Sequence, residues 1–262
     1  MTNSYKKHLN HFFEKLLYYR HISGRINDVF QKDIKIHTNE GAIIAFGSAL
    51  AISDWTGQTD KGWEVNFHTG IVTETTKSNY ELEMRKIYSK QLCLLYAQSF
   101  EALERFVKDC LFIRIGCDDA IREYTISLLL KNQLPSITRE KMPGGGNLFK
   151  ILKKAGGETF KKFTLKNNLN IKFSELWTVL SEVRHSITHK ESLIESRLIK
   201  QTRHHTEIFK LLFNSEDEST DLLSIQLDYD KFTSLIKRFS EFAYQVFKIL
   251  SIEEKLEWED NK

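Results

Sequence analysis

Two histidines and an arginine occur close together in SEVRHSITHKES, residues 181–192 of this chain. Arg184 directly precedes His185, and His189 follows four residues later. An arginine can hold a phosphate through two parallel hydrogen bonds, and a histidine can move protons near neutral pH. RNA carries its own nucleophile, the 2′-hydroxyl, which a base can direct at the adjacent phosphorus without a metal ion. These residue types are therefore suited to cleaving a phosphodiester bond in RNA.

The segment belongs to a predicted helix, and helical geometry separates its histidines from the core. At about 100° per residue, His185 and His189 lie together on one side, with Arg184 on the flank. The apolar residues fall within one narrow arc on the opposite side. They are Leu176, Val179, Leu180, Val183 and Ile187. We therefore predict that the histidines point away from the core, toward water or another surface.

Three interpretations of this helix remain open from residue types alone. The polar face can simply be solvated. His185 and His189 can also share a metal ion, although zinc needs at least a third protein ligand and the spacing marks none. The third interpretation is the phosphodiester site, in which Arg184 binds phosphate and a histidine transfers protons.

The hexapeptide RHSITH, residues 184–189, resembles the signature of the HEPN superfamily. That signature is an arginine, a polar residue, three further residues and a histidine, near the C-terminal part of a bundle helix. Arg184, His185 and His189 match it one for one. A long predicted helix containing SFEALERFVKDCLFIRI precedes the motif, and helices follow it. The resemblance covers residues 78–252 and does not explain residues 1–77.

The resemblance implies an all-α bundle that forms a homodimer, with two copies of the motif lining one cleft. Many members are metal-independent RNases of toxin–antitoxin, CRISPR and abortive-infection systems, so RNA is the expected substrate and neither a metal nor another cofactor is expected. His189 corresponds to the catalytic histidine, Arg184 to the phosphate-binding arginine and His185 to the polar residue that assists. The expected function is an endoribonuclease that leaves 2′,3′-cyclic phosphate, a toxin or phage-defence effector with an antitoxin or other defence-system partner.

The same resemblance leaves a second function open. Other HEPN proteins bind nucleotides or act as scaffolds without catalysis, so the alternative is a non-catalytic nucleotide- or RNA-binding protein of a defence system. Members paired with a nucleotidyltransferase antitoxin carry a tyrosine two residues after the histidine, where they are modified. This chain has Glu191 there, which argues against that mode of control.

The densest basic segment of the chain lies between residues 150 and 172. It covers part of a predicted short helix, residues 148–155, which Gly156 and Gly157 close. Its lysines are most simply a solvated surface, but beside the cleft they would attract an RNA backbone. The predicted RNA-binding residues are Lys150, Lys153, Lys154, Lys161 and Lys162.

Other candidate features carry no predicted chemistry. MPGGGNLFK lacks the Gly-Lys-Ser/Thr ending of a phosphate-binding loop and is expected to be a flexible connector. His204 and His205 are expected on a solvated surface. Cys110 and Cys117 lack a matching second pair of cysteines and are expected in the core.

Apolar residues at helical spacing predict most of the elements that must position the motif. They indicate a first helix over residues 4–33, which Gly24 can bend or split, a long helix over 78–115 and a last helix over 230–252. A shorter helix is predicted within 117–132, with Asp118 or Asp119 in its first turn.

The remaining segments include the predicted β-structure. The segment WEVNFHTGIVTETT, residues 63–76, alternates in residue type and is rich in threonine and other β-branched residues, which predicts a β-hairpin. The segment LLSIQLDYD, residues 222–230, is predicted to form a short strand. Ser174 is the predicted N-cap of the motif helix, and residues 191–214 are expected to continue helically. NSEDESTD, residues 214–221, is expected to be an acidic loop.

The predicted fold class is mainly α: an antiparallel helical bundle of HEPN type with a small β-containing insertion. The predicted domains are an N-terminal extension over 1–77, the bundle over 78–255 and a charged tail over 256–262. Only two prolines occur in 262 residues, which suits long helices.

Composition indicates a cytoplasmic protein with no membrane segment. The net charge of +3 neither requires nor excludes a nucleic acid partner, so a binding site for one must be a local patch. Three cysteines, mostly within apolar sequence, favour reduced thiols over disulfides. The longest apolar run, AIIAFGSALAI at residues 42–52, falls short of the ~20 residues that span a bilayer.

Overall fold

The structure is a computed structural model that describes residues 3–42, 45–58, 60, 62, 66–129, 137–217, 219 and 221–259. Most of these residues are helical, as predicted. The helices are α1 (Lys6–His37), α2 (Tyr80–Cys117), α3 (Asp119–Leu129), α4 (Gly145–Ala155), α5 (Gly157–Leu165), α6 (Phe173–His189), α7 (Ser196–Ile199), α8 (Arg203–Leu212) and α9 (Tyr229–Glu253). The strands are β1 (Ala45–Ser53), β2 (Asn66–Thr76), β3 (Leu193–Glu195), β4 (Asn214–Asp217) and β5 (Leu222–Gln226).

The chain forms two compact units, and the smaller one is Arg25–Tyr88. Within it β1 and β2 pair as an antiparallel hairpin, from Ala45 opposite Thr76 to Ser53 opposite Asn66. The predicted hairpin is thus confirmed in kind, but residues 66–76 supply only one of its strands. Its partner is β1, which contains residues 45–52 of the apolar run. Residues 63–65 of the predicted hairpin lie outside the described residues.

The larger unit, Met1–Gly24 with Ser89–Lys262, is held together by a cluster of aromatic rings. The Trp177 ring of α6 lies 5.4 Å from Phe100 of α2, 5.7 Å from Phe149 of α4 and 6.0 Å from Phe242 of α9, measured between centroids. Its indole nitrogen donates a hydrogen bond to the Gly145 carbonyl over 3.1 Å. Four helices therefore meet at one side chain, which is only 2% exposed.

The long helices of the larger unit have mixed directions. Phe12 stacks on Phe106 while His8 faces Asp109, so α1 and α2 run antiparallel. In α2 and α9, in contrast, residues later in one helix contact residues later in the other. Tyr96 stacks on Phe239, and Arg114 pairs with Glu254. These two helices run parallel, which differs from the uniformly antiparallel bundle that was predicted.

Two predictions about helix boundaries are wrong, namely a split of α1 at Gly24 and an N-cap of α6 at Ser174. Gly24 does not break α1, which continues through it to His37. Ser174 is not the N-cap of α6, because the helix begins at Phe173 and Lys172 is the N-cap, without a side-chain cap hydrogen bond. The Phe173 amide, one of the first amides of the helix that have no partner within it, donates to the Thr164 hydroxyl over 3.0 Å.

The segment that follows α6 differs most from its prediction. Residues 191–214 do not continue as one helix but form β3, α7 and α8. The strands β3 and β4 flank β5 in an antiparallel three-stranded sheet, so the predicted strand at β5 is confirmed. Asn214–Asp217, half of the predicted acidic loop, belong to the sheet as β4, because their backbone groups pair with β5.

The cysteines are all free, as expected, but only two of them are buried. Burial raises the pKa of the Cys93 thiol to about 12 and that of Cys110 well above its ordinary value. Cys117 is exposed because it ends α2, so its predicted place in the core is wrong. Within the described residues, no helix combines the length and the apolar character needed to cross a membrane.

Replacing the central indole should destabilise the larger unit. Trp177→Ala removes a buried aromatic side chain, which typically lowers the free energy of unfolding by about 3–5 kcal/mol. Trp55→Ala is the matched control, because that indole is 92% exposed and its loss should change the value by less than about 0.5 kcal/mol. Urea denaturation followed by far-UV circular dichroism measures both, and equal losses would contradict the central role of Trp177.

Candidate active site

Helix α6 presents the motif to solvent, as its spacing predicts. The side of α6 that faces the core is closed, since none of its apolar stripe exposes more than 7% of its surface. His185 and His189 are exposed, while Arg184 is half-buried on the flank. The stripe consists of Leu176, Val179, Leu180, Val183 and Ile187. The prediction of outward-facing histidines is confirmed.

The two histidines form a pair on the surface. Their ring centroids lie 4.9 Å apart, and the ring planes are inclined by 48°. One helical turn separates the two positions, so the backbone fixes this spacing. Thr188, between them, donates its hydroxyl proton to the Arg184 carbonyl over 2.9 Å, so this hydrogen bond goes to the backbone and not to an imidazole. Both rings are therefore open to a ligand.

Arg184 connects the core to the exposed face. Its Nη2 donates to the Glu101 carboxylate of α2 over 3.3 Å, and its side chain is 27% exposed. Its Nε is buried and has no hydrogen-bond partner in the described part of the chain. Burial raises the pKa of Tyr96 well above its ordinary value, whereas the nearby positive charge of Arg184 acts in the opposite direction. The guanidinium is thus half-buried and paired with a carboxylate of α2.

The end of α6 is fixed by backbone hydrogen bonds directly after His189. Lys190 and Ser192 both donate their amides to the Ser186 carbonyl, over 2.9 and 3.1 Å. Glu191 and Ser192 adopt left-handed conformations, with φ of 53° and 69°. The bond from Ser192 spans six positions, one more than the long bond of a Schellman cap, and the turn it closes contains two left-handed residues, neither of which is glycine. It turns the chain into β3 and leaves His189 at the edge of the helix.

A shallow depression of about 390 Å³ adjoins His189. Lys190, Glu191, Leu193, Glu195 and Leu222 line the rest of it. Glu195 is held by Arg197 and, over 3.6 Å, by Lys190, and the hydrogen bond from Arg197 lowers the pKa of its carboxyl. The depression therefore contains both signs of charge close to one exposed imidazole.

The predicted RNA-binding lysines lie on α4 and α5, and all of them are exposed. The α5 helix contacts the start of α6, where the Phe160 and Phe173 rings lie 5.7 Å apart. Phe173 and His189 are sixteen residues apart, or roughly 24 Å along the helix axis. Lys161 pairs with Glu158 of its own helix. The structure thus does not bring Lys161 or Lys162 next to the histidine pair, and a shared ligand would have to be long.

Another expectation needs correction, because His205 is not on a solvated surface. It is 6% exposed at the start of α8, and its amide donates to the Thr202 hydroxyl over 3.0 Å. The adjacent His204 accepts a hydrogen bond from the Lys172 amide over 3.4 Å. Packing of α8 against α6 buries one of the two rings, which the apolar spacing of α8 alone did not indicate.

Glu101 is the site residue that sequence reasoning missed. It lies 83 positions from Arg184, so no local spacing connects the two residues. Its local signal is its place in SFEALERF, on the polar side of the long helix. The pair itself is a consequence of the packing of α2 against α6.

In the described residues no group of three or more histidine, cysteine, aspartate or glutamate side chains is arranged to hold a metal ion. Comparisons with protein-family models, with curated proteins and with solved structures returned no match. The arrangement that remains is an exposed imidazole pair beside a half-buried guanidinium. Such groups can bind a phosphate and transfer protons to and from its oxygens.

Neutralising Glu101 should make Arg184 more available to a phosphate. We expect Glu101→Gln to strengthen binding of a 2′-O-methyl RNA oligonucleotide, which cannot be cleaved, by up to about fivefold, because exposed ion pairs are worth about 0.2–1 kcal/mol. Glu81→Gln makes the same change of net charge in an exposed pair with Arg85 and should have little effect. Fluorescence anisotropy measures both affinities. Weaker binding by Glu101→Gln, or equal gains in both variants, would exclude Arg184 as the phosphate ligand.

Proposed function

We propose that this protein is a metal-independent endoribonuclease of HEPN type whose active site is formed by Arg184, His185 and His189. The observation that carries the proposal is the exposed imidazole pair, 4.9 Å between centroids, on the solvent side of α6. Surface histidines need no partner to be stable. Two of them one turn apart beside an arginine, however, supply both the proton-transfer groups and the phosphate ligand for RNA cleavage.

In the proposed reaction, Arg184 holds the scissile phosphate and His189 takes part in proton transfer, assisted by His185. One imidazole accepts the proton of the 2′-hydroxyl as that oxygen bonds to phosphorus. The bond from phosphorus to the 5′-oxygen breaks, and a protonated imidazole donates its proton to that oxygen. The products are a 2′,3′-cyclic phosphate and a 5′-hydroxyl. The water-exposed position of both rings allows them to be reprotonated between turnovers.

The proposed assembly is a homodimer in which the motif faces of two subunits form one cleft. The depression beside His189 is shallow and open, so a single chain encloses little of a bound RNA. A second copy placed against this face would exclude water and supply two further histidines and another arginine. The proposed role as a toxin or phage-defence effector, with an antitoxin or other defence-system partner, follows from the family resemblance.

A non-catalytic nucleotide- or RNA-binding protein is the second candidate, and one feature favours it. Arg184 is already paired with Glu101, and Glu191 and Glu195 lie in the depression beside His189. These carboxylates would oppose the negative charge that develops during cleavage, which disfavours catalysis more than binding. The second candidate predicts RNA binding without cleavage.

Removing His189 should abolish most cleavage without loss of stability. General acid–base catalysis is typically worth ~10²–10⁴-fold, so His189→Ala should lower the rate by about that factor. His68→Ala, an exposed histidine of the smaller unit, should retain the wild-type rate. Gel analysis of a labelled RNA in excess EDTA measures the rates, and the unfolding free energy of both variants should stay within about 0.5 kcal/mol of wild type.

The substrate provides the control for this mechanism. The same RNA with one 2′-deoxy nucleotide at the cut site should resist cleavage, because the attacking hydroxyl is absent. Equal cleavage of that substrate would disprove the mechanism, and activity that EDTA removes and zinc or manganese restores would instead support the metal site. Binding without any cleavage would establish the second candidate.

The dimeric site can be tested by mixing two inactive variants. Arg184→Ala and His189→Ala chains, each inactive alone, should regain activity when refolded together, because a mixed dimer contains one intact arginine and one intact catalytic histidine in a shared cleft. Light scattering should give twice the chain mass. A strict monomer with and without RNA, or mixtures that stay inactive although mixed dimers form, would contradict a shared cleft.

A further inference from the structure

A second concave site lies at the other end of α6 within the larger unit. It is a cavity of about 420 Å³ between the start of α6, the segment after α5 and the middle of α9. Phe173 and Leu176 of α6 line it, roughly 20–24 Å along the helix from His189. Its volume lies within the range of about 300–1,000 Å³ that is typical of sites for small molecules. The catalytic proposal does not use it.

The floor of the cavity is apolar and largely aromatic. Phe173 and Phe242 are both buried, and their rings meet edge to face with centroids 5.6 Å apart. Phe163 forms part of the wall, and Leu169, 41% exposed, is another lining residue. Flat rings of this kind favour a planar apolar body, which can stack on their faces or meet their edges.

The charged part of the lining is predominantly positive. Lys166, Arg238 and Lys248 face a single carboxylate, that of Glu241. Arg238 is already committed to that carboxylate, since its Nη1 lies 2.7 Å from Glu241 Oε2. Among the described residues, no carboxylate lies within ion-pair distance of Lys166 or Lys248. Two ammonium groups at the cavity therefore have no counter-charge in this part of the chain.

Lys248 is oriented toward this region by aromatic contacts. Its Nζ lies 3.7 Å from the centroid of the Trp258 ring and 5.5 Å from that of Phe163. Aromatic faces attract an ammonium group without neutralising its charge. The group is thus held in position, while no carboxylate of the described residues pairs with it.

From the apolar floor and the two unneutralised lysines we infer that this cavity binds a small organic anion with a planar ring system. The ring system lies against Phe173 and Phe242, and the acidic group pairs with Lys248 and Lys166. This inference is independent of the proposed ribonuclease activity, because none of its residues belongs to the motif. A carboxylate, sulfonate or phosphate ester on an aromatic body has the required chemistry.

Three probes separate the contributions of charge and ring shape. 2-Naphthalenesulfonate carries both features, 2-naphthalenemethanol lacks the charge and octane-1-sulfonate lacks the rings. We expect the full chain to bind 2-naphthalenesulfonate at least about tenfold more tightly than either of the others, as measured by isothermal titration calorimetry. Equal affinity for the neutral alcohol would overturn the anion assignment, and a preference for octane-1-sulfonate would overturn the planar class.

Lysine variants locate the site. Lys248→Gln and Lys166→Gln should each weaken binding of 2-naphthalenesulfonate by about tenfold, the size of one charged hydrogen bond. Lys237→Gln is the control, since Lys237 is 71% exposed on the same helix and is not among the cavity residues. Equal weakening in all three variants, or no binding by a wild-type chain that circular dichroism shows to be folded, would overturn the inference. RNA cleavage by the lysine variants should remain at the wild-type rate.

Discussion

The packing of Trp177 is the constraint on which the arrangement of the larger unit depends. Its ring contacts α2, α4 and α9, and its nitrogen is bonded to the backbone where α4 begins. A helix that is held by a large buried side chain cannot rotate about its own axis without opening a cavity. The rotation of α6 is therefore fixed. Because His185 and His189 follow on the same rigid helix, their outward direction is a consequence of this packing.

The end of α6 adds a second constraint close to the motif. Non-glycine residues in the left-handed region cost about 1–2 kcal/mol each, and Glu191 and Ser192 both adopt it. The cost is offset by the amide bonds to Ser186 and by the pairing of β3 with β5, from Leu193 opposite Ser224 to Glu195 opposite Leu222. The turn carries Glu191 and Glu195 to the side of His189. The same geometry that exposes the imidazole therefore brings carboxylates near it.

Local patterns predicted the parts of the fold that depend on one helix at a time. The stripes of α2, α6 and α9 are apolar over many turns, so both their extents and the outward face of α6 could be predicted. The segment after α6 could not, because a left-handed turn formed without glycine has no sequence signal and the short strands are stabilised by pairing with β5. The parallel direction of α9 relative to α2, the burial of His205 and the Glu101–Arg184 pair all depend on contacts between segments that are distant in sequence.

The two concave sites on α6 lie on either side of Trp177, and this placement limits how one could influence the other. A continuous helix transmits a ligand's effect mainly by moving as a body, since its hydrogen bonds resist local stretching. Such a movement would have to displace Trp177 from the rings of Phe100, Phe149 and Phe242 at once. Packed cores shift between discrete arrangements and do not deform gradually, so a coupling between the sites would require a second packing of this cluster. The simplest physical expectation is that the cavity and the histidine pair bind their ligands independently.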